Sequence, residues 1–176
     1  MDNVQLHQLM FNRSWATFDN FFPEPVLNQL INIVNTGEQI DYGQEFRTSI
    51  TNVDNLLVNE FFKNRVPQLI YEWTKEQVEL VDWQFWIDYP GLAYTPHTDI
   101  YMFKKHEHHV QVYLNDGLAE LGTRVHNIKR AQVGQAAYKL NSGIYLNTAQ
   151  TIIHSVSQVP KYSIRKSVRA RYKSSS

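Results

Sequence analysis

The chain is expected to be mainly β, with helices confined to its N-terminal half and a double-sheet jelly roll or barrel behind them. Three features carry that expectation. Apolar residues recur at helical spacing before about residue 80, and beyond it they alternate with polar ones, the period of a half-buried strand. The alternating runs are short and are separated by turn residues such as Pro90-Gly91 and Asn115-Asp116-Gly117. No internal repeat or linker interrupts the 176 residues. One domain is therefore expected over 1–176, with a helical front over about 1–80 and a jelly-roll core over about 81–172.

Each element has a local reason. Trp15 to Phe22 mixes aromatic and polar residues and reads as an opening strand. Pro23 and Pro25 suit the first turn of a helix, where a missing N–H costs nothing. Val26, Leu27, Leu30, Ile31 and Val34 follow at helical spacing, and Gly37 ends the pattern. A second helix is predicted from about Asp54 to Glu79, with Leu56, Leu57, Phe61, Phe62, Val66, Leu69, Ile70 and Trp73 as its apolar residues and Pro67 kinking or splitting it. From Val81 onward, Trp83, Phe85 and Ile87 alternate with Asp82, Gln84 and Trp86, as do Val110, Val112 and Leu114 with His109, Gln111 and Tyr113. Further strands are predicted at Ile144–Leu146, Thr151–Val156 and Ser163–Tyr172.

Composition narrows the function. Hydrophobic residues make up 43% and aromatics 13%, which excludes a disordered chain. With no Cys there are no disulfides or thiolate ligands, so a bound metal must rest on His and carboxylate. No apolar run approaches a membrane span, and the N-terminus lacks the basic start and apolar stretch of a signal peptide, so a soluble cytoplasmic protein is expected. Net charge is zero but unevenly spread: no Asp or Glu follows Glu120, while Lys and Arg continue to Lys173. Late strands interleaved with earlier acidic ones would cancel that asymmetry in space, so nucleic acid is not the expected partner. Lys173-Ser174-Ser175-Ser176 reads as a frayed tail.

The chemistry-bearing stretch is His97-Thr98-Asp99, followed by His154 and then Arg165-Lys166-Ser167. Two residues apart on an extended strand, His97 and Asp99 point the same way. A second imidazole brought alongside by strand pairing completes two His and one carboxylate on one face of a metal, the ligand set of non-haem Fe(II) oxygenases. A structural role for two lone histidines is the competing reading, and the accompanying Asp99, Arg165 and Ser167 weigh against it. The tract Lys105-His106-Glu107-His108-His109 reads as a solvated loop before a strand, dispensable for turnover. His126 either lines a substrate mouth with Arg124 and Asn127 or simply ends a strand.

These motifs resemble 2-oxoglutarate/Fe(II)-dependent dioxygenases, and their prolyl-hydroxylase-like branch most closely. Tyr89-Pro90-Gly91 to Tyr94-Thr95-Pro96-His97-Thr98-Asp99 resembles the metal-binding strand. Tyr113-Leu114-Asn115 with Gly122-Thr123 resembles the next strand and hairpin, and His154-Ser155-Val156 through Arg165-Lys166-Ser167-Val168 resembles the closing strands. Asp19-Asn20-Phe21-Phe22-Pro23 has the look of the branch's front. The resemblance implies a double-stranded β-helix core in which His97, Asp99 and His154 bind Fe(II). It implies that Arg165 meets the distal carboxylate of 2-oxoglutarate, because a guanidinium fork matches a carboxylate. Ser167 and Tyr113 are implied helpers at that carboxylate, and Tyr94 and Tyr89 are rival candidates for another co-substrate contact. The usual Gly-Gly hairpin is here Leu121-Gly122. An Asp at position 99, where related halogenases carry a small residue, argues for hydroxylation.

The expected activity is hydroxylation of a peptidyl (prolyl-type) or small-molecule substrate, with 2-oxoglutarate and O2 consumed and succinate and CO2 released. Two alternatives stand beside it: a cupin-like metal isomerase or lyase, and a non-catalytic metal-binding jelly roll. Tyr101, Met102 and Phe103, with Arg124 to Arg130, are candidates for a substrate groove.

Overall fold

A computed structural model describes residues 5–10, 14–99, 107–148 and 152–175. In chain order the elements are β1 (Gln5–Met10), β2 (Trp15–Asp19), α1 (Glu24–Thr36), β3 (Ile40–Asp41), β4 (Arg47–Ile50) and α2 (Leu56–Glu60). α2 runs through a π-helical turn (Phe61–Arg65) into α3 (Val66–Thr74). Then come β5 (Val78–Asp88), β6 (Tyr94–His97), β7 (Glu107–Tyr113), a 3-10 turn (Ala119–Leu121), β8 (Arg124–His126), β9 (Gln132–Gln135), β10 (Gly143–Asn147), β11 (Ile153–Val156) and β12 (Arg165–Ser174).

The helices form for the reasons that the sequence suggests. α1 opens with Pro25 in its first turn, buries Val26, Leu30 and Val34, and stops where the Gly37 N–H donates to the Ile33 carbonyl at 2.8 Å. Asn55 caps α2, its side chain accepting the Val58 N–H at 3.1 Å. Pro67 has no N–H and its ring crowds the carbonyl four residues back, so the helix widens just before it. The Val66 N–H then reaches back to the Phe61 carbonyl, a π-type bond. The second helix ends at Thr74, short of the expected Glu79. Lys75 takes a left-handed conformation (φ 66°), and Val78 already opens β5.

All the strand pairings are antiparallel. The larger sheet has the order β1-β2-β10-β7-β12-β5-β4-β3, and the smaller has the order β6-β11-β8-β9. The short strands β1, β3, β4 and β9 were not anticipated, being too brief or too polar to show a period, whereas β6 falls where the metal-binding strand was expected and β8 ends at His126. One face of the large sheet packs on the helices. Phe85, Ile87, Val110, Val112, Val168 and Tyr172 meet Leu30, Val58, Phe62, Ile70 and Trp73 there. The Tyr172 hydroxyl, fully buried, donates to the Phe62 carbonyl at 3.0 Å and ties β12 to the π turn. A second core lies on the other face, where Trp15, Tyr113, Ile144 and Leu146 meet Leu121, Val125, Ala136 and Ile152.

The charge asymmetry along the sequence is offset in space. Arg165 pairs with Asp88, Arg169 with Asp99, Arg171 with Asp82, Lys173 with Glu79 and Lys139 with Asp19. No helix among the described residues is long and apolar enough to cross a membrane.

Burial predicts which helical side chains matter. Phe62 is fully buried at the helix–sheet junction, so Phe62→Ala should cost roughly 3–5 kcal/mol in urea unfolding. Leu56 is 77% exposed, so Leu56→Ala should stay within about 0.5 kcal/mol. Equal losses would contradict the packing described.

Candidate active site

Strand pairing creates the metal-ligating group. β6 and β11 run antiparallel with His97 directly opposite His154, and the two rings sit 4.4 Å apart. β6 ends at His97, so Asp99 lies in a bend beyond the strand and not on it as expected. It still turns back between the rings. His97 Nε2 is 3.7 Å from Asp99 Oδ1, and His154 Nε2 is 3.8 Å from Asp99 Oδ2. One ligand atom from each of the three lies within 4.8 Å of the others.

The donor set suits a divalent ion. His97 Nδ1 lies 2.8 Å from the Thr95 carbonyl and must donate to it, which leaves Nε2 as the lone-pair nitrogen facing Asp99. Burial lowers the His154 pKa to about 4; His97 and Arg169 push the same way against Asp99, so His154 stays neutral with a ring-nitrogen lone pair available. His97 is the solvent side of the group, its side chain 36% exposed against 12% for His154 and 11% for Asp99.

Two residues join this group that sequence reasoning did not place there. His109 is a buried residue of β7, not part of a solvated loop, and lies 3.5 Å from Asp99 Oδ2. Arg169 on β12 approaches the same oxygen at 3.5 Å and His109 Nδ1 at 2.6 Å. A guanidinium only donates, so His109 accepts through an unprotonated ring nitrogen. Burial first, then Arg169, hold its pKa well below the usual value. The signal for Arg169 was available: residues 165, 167 and 169 alternate on one face of a strand. His108, also buried, turns the other way, its Nδ1 lying 2.7 Å from the Tyr145 hydroxyl. His106, Tyr101, Met102 and Phe103 lie outside the described residues.

A cavity between the sheets joins the histidine–carboxylate group to a cationic end. Its lining includes His97, Asp99, His154, Arg169, Thr123 and Arg165. Arg165 is fully buried. Its Nε donates to the Leu121 carbonyl at 3.0 Å, Nη1 to Asp88 Oδ2 at 2.7 Å and Nη2 to Thr123 Oγ1 at 3.1 Å. Burial opposes the charge, but Tyr113 and Asp88 outweigh it, so the guanidinium stays protonated. Gly122 makes the Leu121–Thr123 contacts possible: a Cβ there would lie 1.9 Å from the Ala136 carbonyl oxygen, so only glycine lets this segment approach β9.

The remaining site candidates divide. Tyr113 is buried beneath the cavity and acts on Thr123, donating to Oγ1 at 3.0 Å and accepting the Thr123 N–H at 2.8 Å. Ser167 does not reach Arg165's partners; its hydroxyl accepts from Gln111 Nε2 at 3.0 Å, and Gln111 lines the cavity. Tyr94 lines the cavity, accepts from Arg47 Nη1 at 3.1 Å and donates to Gln44, and burial raises its pKa. Tyr89 points elsewhere, its hydroxyl donating to Gln39 at 2.6 Å. His126 sits mid-network on β8, with Nε2 2.7 Å from the Ser155 hydroxyl.

No family model and no curated protein matches the chain. Solved structures do match in fold. An oxidoreductase of the 2OG-Fe(II) oxygenase family from Burkholderia pseudomallei superposes with a TM-score of 0.74 at 13% identity, covering 91% of this chain and 84% of that one. A prolyl-4-hydroxylase from Pseudomonas putida gives 0.68 at 16% identity, covering 93% and 94%. HygX from Streptomyces hygroscopicus, with nickel, 2-oxoglutarate and hygromycin B bound, gives 0.69 at 10% identity, covering 91% and 82%. The fold is thus the one shared by 2-oxoglutarate/Fe(II) oxygenases, a prolyl hydroxylase among them.

The polar cluster behind the cavity makes a prediction. Thr123→Val keeps the shape but removes the oxygen shared by Arg165 and Tyr113, and an unsatisfied buried donor costs about 1–3 kcal/mol. Urea unfolding should show a loss of that size, and an unchanged midpoint would mean that the cluster contributes nothing.

Proposed function

We propose that this protein is a 2-oxoglutarate- and Fe(II)-dependent dioxygenase that hydroxylates a small-molecule or peptidyl substrate. What carries the reading is one juxtaposition: two imidazole nitrogens and a carboxylate converge at one part of a cavity that also holds a buried guanidinium. Neither half alone would specify the chemistry. The matched solved structures support it from a second direction, since HygX holds nickel and 2-oxoglutarate in the same fold.

In this reading the chain is one domain over 1–176 with a double-stranded β-helix core. His97, Asp99 and His154 would hold Fe(II). Bound Fe(II), with 2-oxoglutarate and O2, supplies the oxidant for a C–H bond, with succinate and CO2 as the other products. The protein's own contribution is orientation and charge. Thr95 fixes the His97 ring, and Arg169, itself anchored on His109, holds Asp99 from behind. Arg165 takes the distal carboxylate of 2-oxoglutarate. Leu121, Thr123 and Asp88 lock its fork in place, and Tyr113 positions Thr123. Tyr94, Trp86 and Tyr42 line the cavity and would limit what substrate enters. SnoN, whose fold also matches, is a non-haem α-ketoglutarate-dependent epimerase, so the fate of the substrate is an open outcome of the assay.

Anaerobic titration with Fe(II) and 2-oxoglutarate, followed by a succinate assay over peptide and small-molecule panels, tests the class. His97→Ala and His154→Ala should each weaken Fe(II) binding sharply in calorimetry, and unchanged affinity in both would sink the metal assignment. At the other end the order of severity is the expectation. Arg165→Ala should abolish useful 2-oxoglutarate affinity while metal remains bound, since breaking a buried pair costs about 3–5 kcal/mol. Arg165→Lys should be milder, and Ser167→Ala mildest. The same Michaelis constant for 2-oxoglutarate in Arg165→Ala as in the parent would favour a cupin-like isomerase or lyase instead.

A further inference from the structure

We infer that Arg47 and Asp88 belong to the anion site with Arg165, and that Arg47 supplies the net positive charge that draws in the distal carboxylate of the co-substrate. The inference rests on the 2-oxoglutarate reading above and adds two residues to it.

The placement is dictated by register. Arg47 on β4, Asp88 on β5 and Arg165 on β12 are direct partners across three adjacent strands, so all three project from the same face of the sheet. Asp88 divides its carboxylate between its neighbours. Oδ1 accepts from Arg47 Nε at 2.6 Å, and Oδ2 accepts from Arg165 Nη1 at 2.7 Å. All three are buried, at 5%, 0% and 0% exposure for Arg47, Asp88 and Arg165. Both arginines line the cavity.

The charge count then decides what the group can do. Asp88 and Arg165 alone would form a neutral buried pair, which offers an incoming carboxylate little net attraction. Arg47 leaves the trio with one positive charge in excess. Its guanidinium lies 4.1 Å over the Trp86 ring and 5.1 Å over the Tyr94 ring, and Nη1 donates to Tyr94 and Gln44. Aromatic faces and neutral oxygens hold it on those sides, so an added carboxylate balances the trio. The attraction acts between largely buried groups, where charge interactions are screened less than at the surface.

The excess charge on the trio makes two substitutions move affinity in opposite directions, which a merely structural role would not do. The test is calorimetric titration of 2-oxoglutarate into Ni(II)-loaded protein, with thermal unfolding of each variant recorded in parallel. Arg47→Gln should weaken binding about tenfold or more, Arg47→Lys should retain most of it, and Asp88→Asn should tighten it several-fold. Parental affinity in Arg47→Gln overturns the inference. So does Asp88→Asn weakening binding as Arg47→Gln does in a protein that melts like the parent. If Asp88→Asn does not fold, Arg47 decides alone: equal affinities in its Gln and Lys variants overturn the charge role. A parent that takes up no 2-oxoglutarate overturns the co-substrate reading and this inference with it, whereas a parent that binds, with the wrong order among variants, overturns only the inference.

Discussion

The alternation of side chains along β12 is the constraint on which the molecule turns. This strand pairs with β5 on one edge and β7 on the other, so it cannot slip without breaking both ladders. Val168, Ala170 and Tyr172 face the helices and are buried in apolar contacts. Arg165, Ser167 and Arg169 take the opposite face, toward the cavity. Four of those six residues are apolar or buried aromatic and hydroxyl groups that any core would accept; the two arginines are not. Placing a guanidinium in a core is costly unless partners meet it, and the neighbouring strands supply them in register. Asp88 on β5 meets Arg165, and His109 on β7 with Asp99 meets Arg169.

Asp99 and Asp88 are therefore matched devices at two ends of one cavity. Each is a buried or nearly buried carboxylate met by at least one arginine. Asp99 faces His97, His154, His109 and Arg169; Asp88 faces Arg47 and Arg165. Of the histidines near Asp99, His109 and His154 are kept neutral chiefly by burial, with Arg169 adding to the effect. Neutral imidazoles beside an anionic carboxylate are what a divalent ion requires. The Asp88 end has the opposite bias, toward an anion.

Much of this was legible in the sequence. α1, β5, β7, β10 and β12 follow from apolar period and turn residues, because each buries a long continuous face. The His97, Asp99 and His154 set followed from residue type and order. The edge of the large sheet was not legible: Ile40–Asp41 has both residues exposed and shows no pattern at all. The end of α3 was missed because nothing in Lys75-Glu76 signals a left-handed turn. His109 was misread because a charged, histidine-rich tract looks solvated on its own; its burial depends on β10 and β12 closing over it. The partnership of Arg47, Asp88 and Arg165 spans separations of 41 and 77 residues, and only the strand register brings them together.

The opposition of His97 and His154 has a consequence for how this chain can change. Side chains flanking the pair on β6 and β11 can be exchanged while the backbone ladder holds the two rings 4.4 Å apart. Length cannot be exchanged so freely. One residue inserted within either strand would carry its histidine to the far side of the small sheet unless a bulge absorbed it, as one already does between Tyr94 and His97. Substitution is therefore the route by which these two strands diversify, and insertions and deletions are left to the segments that join them.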